Sequence, residues 1–212
     1  MKTLTTIISI VASAMVSLSL GQTSMTDAIR FDLEKGSKIS IEGMSTIGRF
    51  KCESSFVQGY GIFFDDQNLY TSPVIEARIA AQVKLFFCNL TAMNADMWDA
   101  LKSDQFPLIE YVIDDVSIDS VPSVARGTYT VHSSGQMFIA GVGRTIQIEL
   151  SGYQIGPERF KLEGKTEMSM SDFDVEPPTA LFGLVKTHDR ISVHFNLITT
   201  SRPLPKSIAE LF

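Results

Sequence analysis

Histidine is scarce, cysteine scarcer, and basic residues nowhere gather: the chain holds three His, two Cys, and 18 Lys and Arg against 24 Asp and Glu. Each shortage excludes a class of function. A formal charge of −6 with no basic face does not suit a phosphate backbone, which nucleic-acid binders neutralise with concentrated Lys and Arg. No basic amphipathic run offers a docking helix for anionic membranes. There is no G-x-S-x-G elbow, no histidine near either cysteine in sequence, and no Gly-rich turn leading into a helix. Of His132, His188 and His194, the last two share strand parity, yet six residues along a strand separate them by about 20 Å, too far to ligate one ion. Adjacent Asp65-Asp66 and Asp114-Asp115 should point to opposite faces of a strand and cannot act as coupled pairs. Asp172, Asp174 and Glu176 alternate like half of a calcium loop but lack its Gly and distal Glu, so they read as a turn or strand end. No residue is marked as catalytic or metal-binding, and no cofactor is called for.

One long apolar run is present, at the start. After Met1-Lys2, the stretch from Leu4 to Leu20 is uncharged, and Ser19-Leu20-Gly21 places small residues at the third and first positions before a cut. Residues 1–21 therefore read as a cleaved signal peptide with Gln22 as the mature N-terminus. Ser and Thr dilute the run and no basic stop-transfer cluster follows, so no stable membrane span is expected. Export to an oxidising compartment makes a disulfide the default for Cys52 and Cys88. A redox pair would favour close C-x-x-C spacing. The Asn89-Leu90-Thr91 sequon is formally a glycosylation acceptor.

The remaining residues, about 190, suffice for one domain with a sizeable core. Period-two alternation dominates them. Ile75, Ala77, Ile79, Ala81, Val83, Leu85 and Phe87 alternate with mostly polar neighbours. The pattern returns at Ile146, Ile148 and Leu150, at Phe160, Leu162, Thr166 and Met168, and at Ile191, Val193, Phe195 and Leu197. Such segments are half-buried strands. Weaker strands are expected at 109–118, 127–133 and 136–140, and Lys35-Gly36-Ser37 between 30–34 and 38–42 reads as a hairpin turn. Many short strands imply an all-β sandwich or barrel, and a barrel is favoured because closure removes sheet edges. One helix interrupts them, with Asn94 as N-cap, Asp96 in the first turn, Met97, Trp98 and Leu101 as an apolar stripe, and Pro107 barring continuation. It should cover one barrel end and bury Trp98. A short helical turn is expected after Pro177-Pro178, with Leu181 and Phe182 inward. The domain should span 22–201, with 202–212 as a C-terminal extension.

Several segments, taken in order, carry a likeness. They are Ile41-Glu42-Gly43 with Ser45-Thr46 and Phe50-Lys51-Cys52, then Met93-Asn94-Ala95-Asp96-Met97 with Ala100-Leu101-Lys102 and Phe106-Pro107-Leu108-Ile109. Gly135-Gln136-Met137-Phe138-Ile139-Ala140-Gly141 with Arg144 follows, and finally Met170-Ser171-Asp172-Phe173, Pro177-Pro178-Thr179-Ala180-Leu181 and Asp189. From about Phe31 to Leu197 the chain resembles the YceI-like family of exported lipid-binding proteins. The resemblance implies an antiparallel, eight-stranded, lipocalin-like barrel around an apolar lumen that holds an isoprenoid or other amphiphilic chain without transforming it. It also implies a periplasmic or secreted protein of a bacterial envelope; a homodimer is left open. A barrel of that size can fill itself with side chains or hold one slender ligand. The inward apolar residues Ile79, Val83, Ile148, Leu162, Met168, Val193 and Phe195 are the candidate ligand contacts. Two segments depart from the family: Gly48-Arg49-Phe50 stands where a His-Asp-Trp-like run is usual, and Asp172-Phe173-Asp174 where Asp-Phe-Gly is.

Overall fold

Alternation forces a strand to hide one face, and a sheet of such strands can hide all its apolar faces together only by curling on itself. A computed structural model describes residues 27–65, 74–89, 91–119, 127–180 and 184–204. Its strands are β1 (Asp27–Leu33), β2 (Lys38–Ser45), β3 (Gly48–Ser54), β4 (Val57–Asp65), β5 (Val74–Gln82), β6 (Phe87–Cys88), β7 (Leu108–Ile118), β8 (Thr128–Ile139), β9 (Val142–Gly156), β10 (Arg159–Ser169), β11 (Thr179–Ala180) and β12 (Val185–Leu204). A helix, α1 (Thr91–Ala100), and two 3-10 turns, Val83–Leu85 and Met170–Phe173, complete the described elements.

The ring runs β1-β4-β5-β7-β8-β9-β10-β12, and β12 closes it by pairing with β1, Ala28 opposite Leu204. This is the expected closed, eight-stranded antiparallel barrel. β2 and β3 extend it at one end. β2 pairs with β12 beyond β1, β3 with β2, and β6 with β3. Each of β1/β2, β3/β4 and β5/β6 is thus one long stave with a break in it.

The breaks correct the sequence reading. Lys35-Gly36-Ser37 is no hairpin, because β1 and β2 run in the same direction, both antiparallel to β12. The chain steps outward opposite Ile198 and rejoins the sheet. Glu34 N–H donates to the Ile198 carbonyl at 2.8 Å, the Ser37 hydroxyl donates to it at 3.1 Å, and Ile198 N–H returns a bond to Ser37 Oγ at 3.0 Å. A buried serine thus supplies the missing rung, and Gly36 takes the positive φ of 102° that the step requires. The long alternating segment also breaks. Val83–Leu85 winds into a 3-10 turn with Val83 N–H bonded to the Pro107 carbonyl at 2.9 Å. Parity flips there, so Phe86 is buried at 1 % exposure while Phe87, expected inward, is 54 % exposed. A bulge between Ile113 and Asp115 turns both Asp114 and Asp115 to solvent instead of to opposite faces.

The helix begins three residues before its expected cap. Asn94 lies inside it, buried, and its side-chain oxygen accepts the backbone N–H of Cys88 at 2.7 Å. That bond ties α1 to β6, where Cys88 faces Cys52 across the β3–β6 pair and forms the disulfide with it. Met97, Ala100 and Leu101 pack against the core, so the helix covers one barrel end; Trp98 is only half-buried. After Pro177-Pro178 the chain forms β11 against β12, while Leu181 and Phe182 lie outside the described residues, as do the signal segment, Asp66 and Leu90. The barrel also takes in Arg202–Leu204, which pair with β1.

Candidate functional site

Seen from inside, the ring is not filled. Its inward side chains surround a cavity of about 620 Å³, a size typical of small-molecule sites. Six of the seven candidate residues line it: Ile79 from β5, Ile148 from β9, Leu162 and Met168 from β10, and Val193 and Phe195 from β12. Their register explains this, since Leu162, Thr166 and Met168 stand opposite Leu197, Val193 and Ile191 on one shared face. Val83 is the exception. The 3-10 turn takes it off the cavity wall and into the core at 1 % exposure.

The wall has zones. In the half of the barrel away from α1, Phe31 of β1 packs edge-on to Phe63 of β4 at 5.7 Å between ring centres and tilts against Phe160 of β10 at 6.0 Å. Toward α1, the wall is built by Phe86, Leu101, Met137, Met170 and Phe173. Phe173 is buried within a 3-10 turn that Asp172 caps at Ser169, and Asp174 ends that turn in a left-handed conformation, φ 52°. Asp174 therefore occupies the backbone geometry that a glycine would favour.

Polar groups are few. Among the described lining residues there is no Lys or Arg, and Asp119 is the one carboxylate. Ser133, in the middle of β8, and Tyr111, from β7, form a hydroxyl pair at 3.3 Å, and burial raises the Tyr111 phenol above its ordinary pKa. The Thr199 hydroxyl is occupied by the Asp32 carbonyl at 3.0 Å. The sequence reading missed Tyr111, Ser133 and the Phe31–Phe63–Phe160 cluster. The inward parity of Tyr111 within 109–118 was the available signal; nothing local singles out Ser133.

Charge sits outside. Arg159 holds Glu34 through a fork at 3.0 and 2.6 Å, Lys38 meets Glu53 at 2.8 Å, and Lys161 meets Glu163 at 2.7 Å. His132 stands between Asp119 at 3.3 Å and Glu149 at 3.6 Å, and His194 lies 3.6 Å from Glu42. Among the described residues no three His, Cys, Asp or Glu side chains gather as a metal site would require. The site can enclose an apolar molecule; besides the Tyr111–Ser133 pair, Tyr60, Tyr129 and Ser169 add hydroxyls to its lining.

No family model matches the sequence, and no curated protein matches it. Solved structures do share its shape. BcnA of Burkholderia cenocepacia superposes with a TM-score of 0.60 at 16 % identity, covering 80 % of this chain and all of that one. A polyisoprenoid-binding domain from Saccharophagus degradans superposes with a TM-score of 0.60 at 13 % identity, covering 81 % of this chain and 98 % of that one. What these two have in common with the chain, at such low identity, is its architecture: a closed, antiparallel, eight-stranded barrel with the fold of BcnA and of the polyisoprenoid-binding domain.

Proposed function

We propose that the chain is a YceI-like binding protein that holds an isoprenoid-like or other amphiphilic lipid in its barrel without chemical turnover, and that it works after export, in a periplasmic or secreted setting. The apolar cavity of about 620 Å³ carries this reading. A barrel packed solid by its own side chains, the competing view, would have left no such space. Removing a hydrocarbon chain from water is favourable by about 25 cal/mol per Å² of apolar surface, so a lumen with few polar groups suffices for tight binding. The shared fold of a polyisoprenoid-binding domain supports the ligand class, and the ordered motifs from Phe31 to Leu197 support the family.

The test is native mass spectrometry of protein purified from its own compartment, followed by solvent extraction. A stoichiometric prenyl or fatty species is expected, on a chain starting at Gln22. Repeated recovery of a ligand-free protein that also fails to take up added lipid would overturn the carrier reading.

A further inference from the structure

An apolar lumen by itself accepts any slender hydrocarbon, yet this one contains a hydroxyl pair set deep in its wall. Ser133 is the sixth residue of the twelve in β8, equally far from both ends of the strand in practice, and it faces Val116 on β7 and Ile148 on β9. Tyr111 faces Met137, four positions further along β8. Its ring must therefore run along the wall to bring its hydroxyl to Ser133, rather than across the lumen. Both residues line the cavity, and Tyr111 is only 5 % exposed.

The pair is poorly satisfied. Tyr111 Oη and Ser133 Oγ are 3.3 Å apart, and the Ser133 hydroxyl reaches the Ile148 carbonyl at 3.4 Å. Hydroxyl–oxygen bonds normally close to about 2.5–3.0 Å. Two hydroxyls offer two donors and four lone pairs, and among the described residues the one partner beyond each other is a distant carbonyl. An oxygen placed beside them could accept one short bond and, if it carries a proton, donate another. A charged head is not served there, since no Lys or Arg is among the described lining residues to neutralise it.

We infer that Tyr111 and Ser133 form a head-group station midway along the lumen, selecting lipids that bear an uncharged oxygen, an alcohol or a ketone-type carbonyl, and seating that group inside the barrel rather than at its mouth. The inference rests on the carrier reading but reaches further, to the ligand's orientation and its chemical class. It separates chains by their head, where the apolar wall cannot. A phosphorylated lipid would have to leave its anionic end outside this station.

The experiment compares three probes on the delipidated mature protein: geranylgeraniol, the hydrocarbon of the same carbon skeleton, and geranylgeranyl diphosphate, each displacing a fluorescent apolar dye. The alcohol is expected to bind about tenfold more tightly than the hydrocarbon, the worth of one good buried hydrogen bond, and more tightly than the diphosphate. Tyr111→Phe should erase the alcohol's advantage, so that the ratio of alcohol to hydrocarbon affinity falls to about one. Ser133→Ala, the smaller change, should reduce the same ratio and keeps the test open if Tyr111→Phe does not fold. Equal binding of alcohol and hydrocarbon by wild type, a ratio untouched by both variants, or tightest binding of the diphosphate would each overturn the station and leave the carrier standing. Failure of every probe to displace the dye would overturn both.

Discussion

At the scale of single residues, position within the wall separates stability from capacity. Val83 is buried off the cavity, so Val83→Ala should cost about 1–3 kcal/mol in urea unfolding and leave lipid uptake unchanged. Ile79 faces the lumen, and Ile79→Trp should occupy the space a ligand needs. Uptake should fall by about tenfold or more at native circular dichroism; undiminished uptake would place the ligand elsewhere. Asp174 holds a left-handed backbone, φ 52° and ψ 30°, which is costly for a side chain with a Cβ. Asp174→Gly should raise stability by about 0.5–1 kcal/mol, less whatever its long 4.0 Å contact with Arg144 contributes. Residues such as Ile148 and Phe195 were legible in the sequence because period two is a local property. Tyr111 and Ser133 were not, because what matters about them is a meeting across two strands, 22 residues apart in the chain.

At the scale of elements, type was easier to read than connection. The alternating runs at 145–150, 160–168 and 190–197 all lie within long strands, β9, β10 and β12. The step at Lys35-Gly36-Ser37 was misread because a glycine between two strands signals a turn and a bulge equally well. The residue that decides between them, Ile198, is 161 positions from Ser37. The helix start was misplaced for a related reason: the Asn94 side chain caps no helix end but takes the Cys88 N–H. That contact and the Cys52–Cys88 disulfide together fasten β6, a strand of only two residues, between β3 and α1. Replacing both cysteines by alanine should lower unfolding free energy by about 4 kcal/mol from loop-closure entropy over a separation of 36 residues. Reducing agent should produce the same loss in wild type and none in the double variant.

At the scale of the whole molecule, charge is kept on the outer surface and influences stability only weakly at neutral pH. The Arg159 hydrogen bond, followed by that of Thr200, holds the Glu34 carboxyl below its ordinary value of 4.5. Lys161 and Tyr153 lower Glu163 in the same way, and the Ser171 hydroxyl lowers Asp189. A carboxyl depressed in the folded state contributes stability above its ordinary pKa and loses it as pH falls through the depressed value. The melting temperature should therefore stay level from pH 7 to about 5 and decline below about 4, with the decline reduced by salt because these groups are solvated.

The 20-residue strand β12 has a consequence for timing. It pairs with β10 and, beyond it, β11 along one side and with β1 and β2 along the other, and in chain order it follows all of them. As the chain is synthesised from its N-terminal end, seven staves can form while the eighth is still missing, and β1 waits for Thr199 to Leu204. A chain stopped after Asn196 should accordingly show no sharp unfolding transition and should bind apolar dyes without saturating. Enclosure is then the final event in the making of this protein. A lipid that ends up inside was captured by a finished chain, or was present when the last strand slid home.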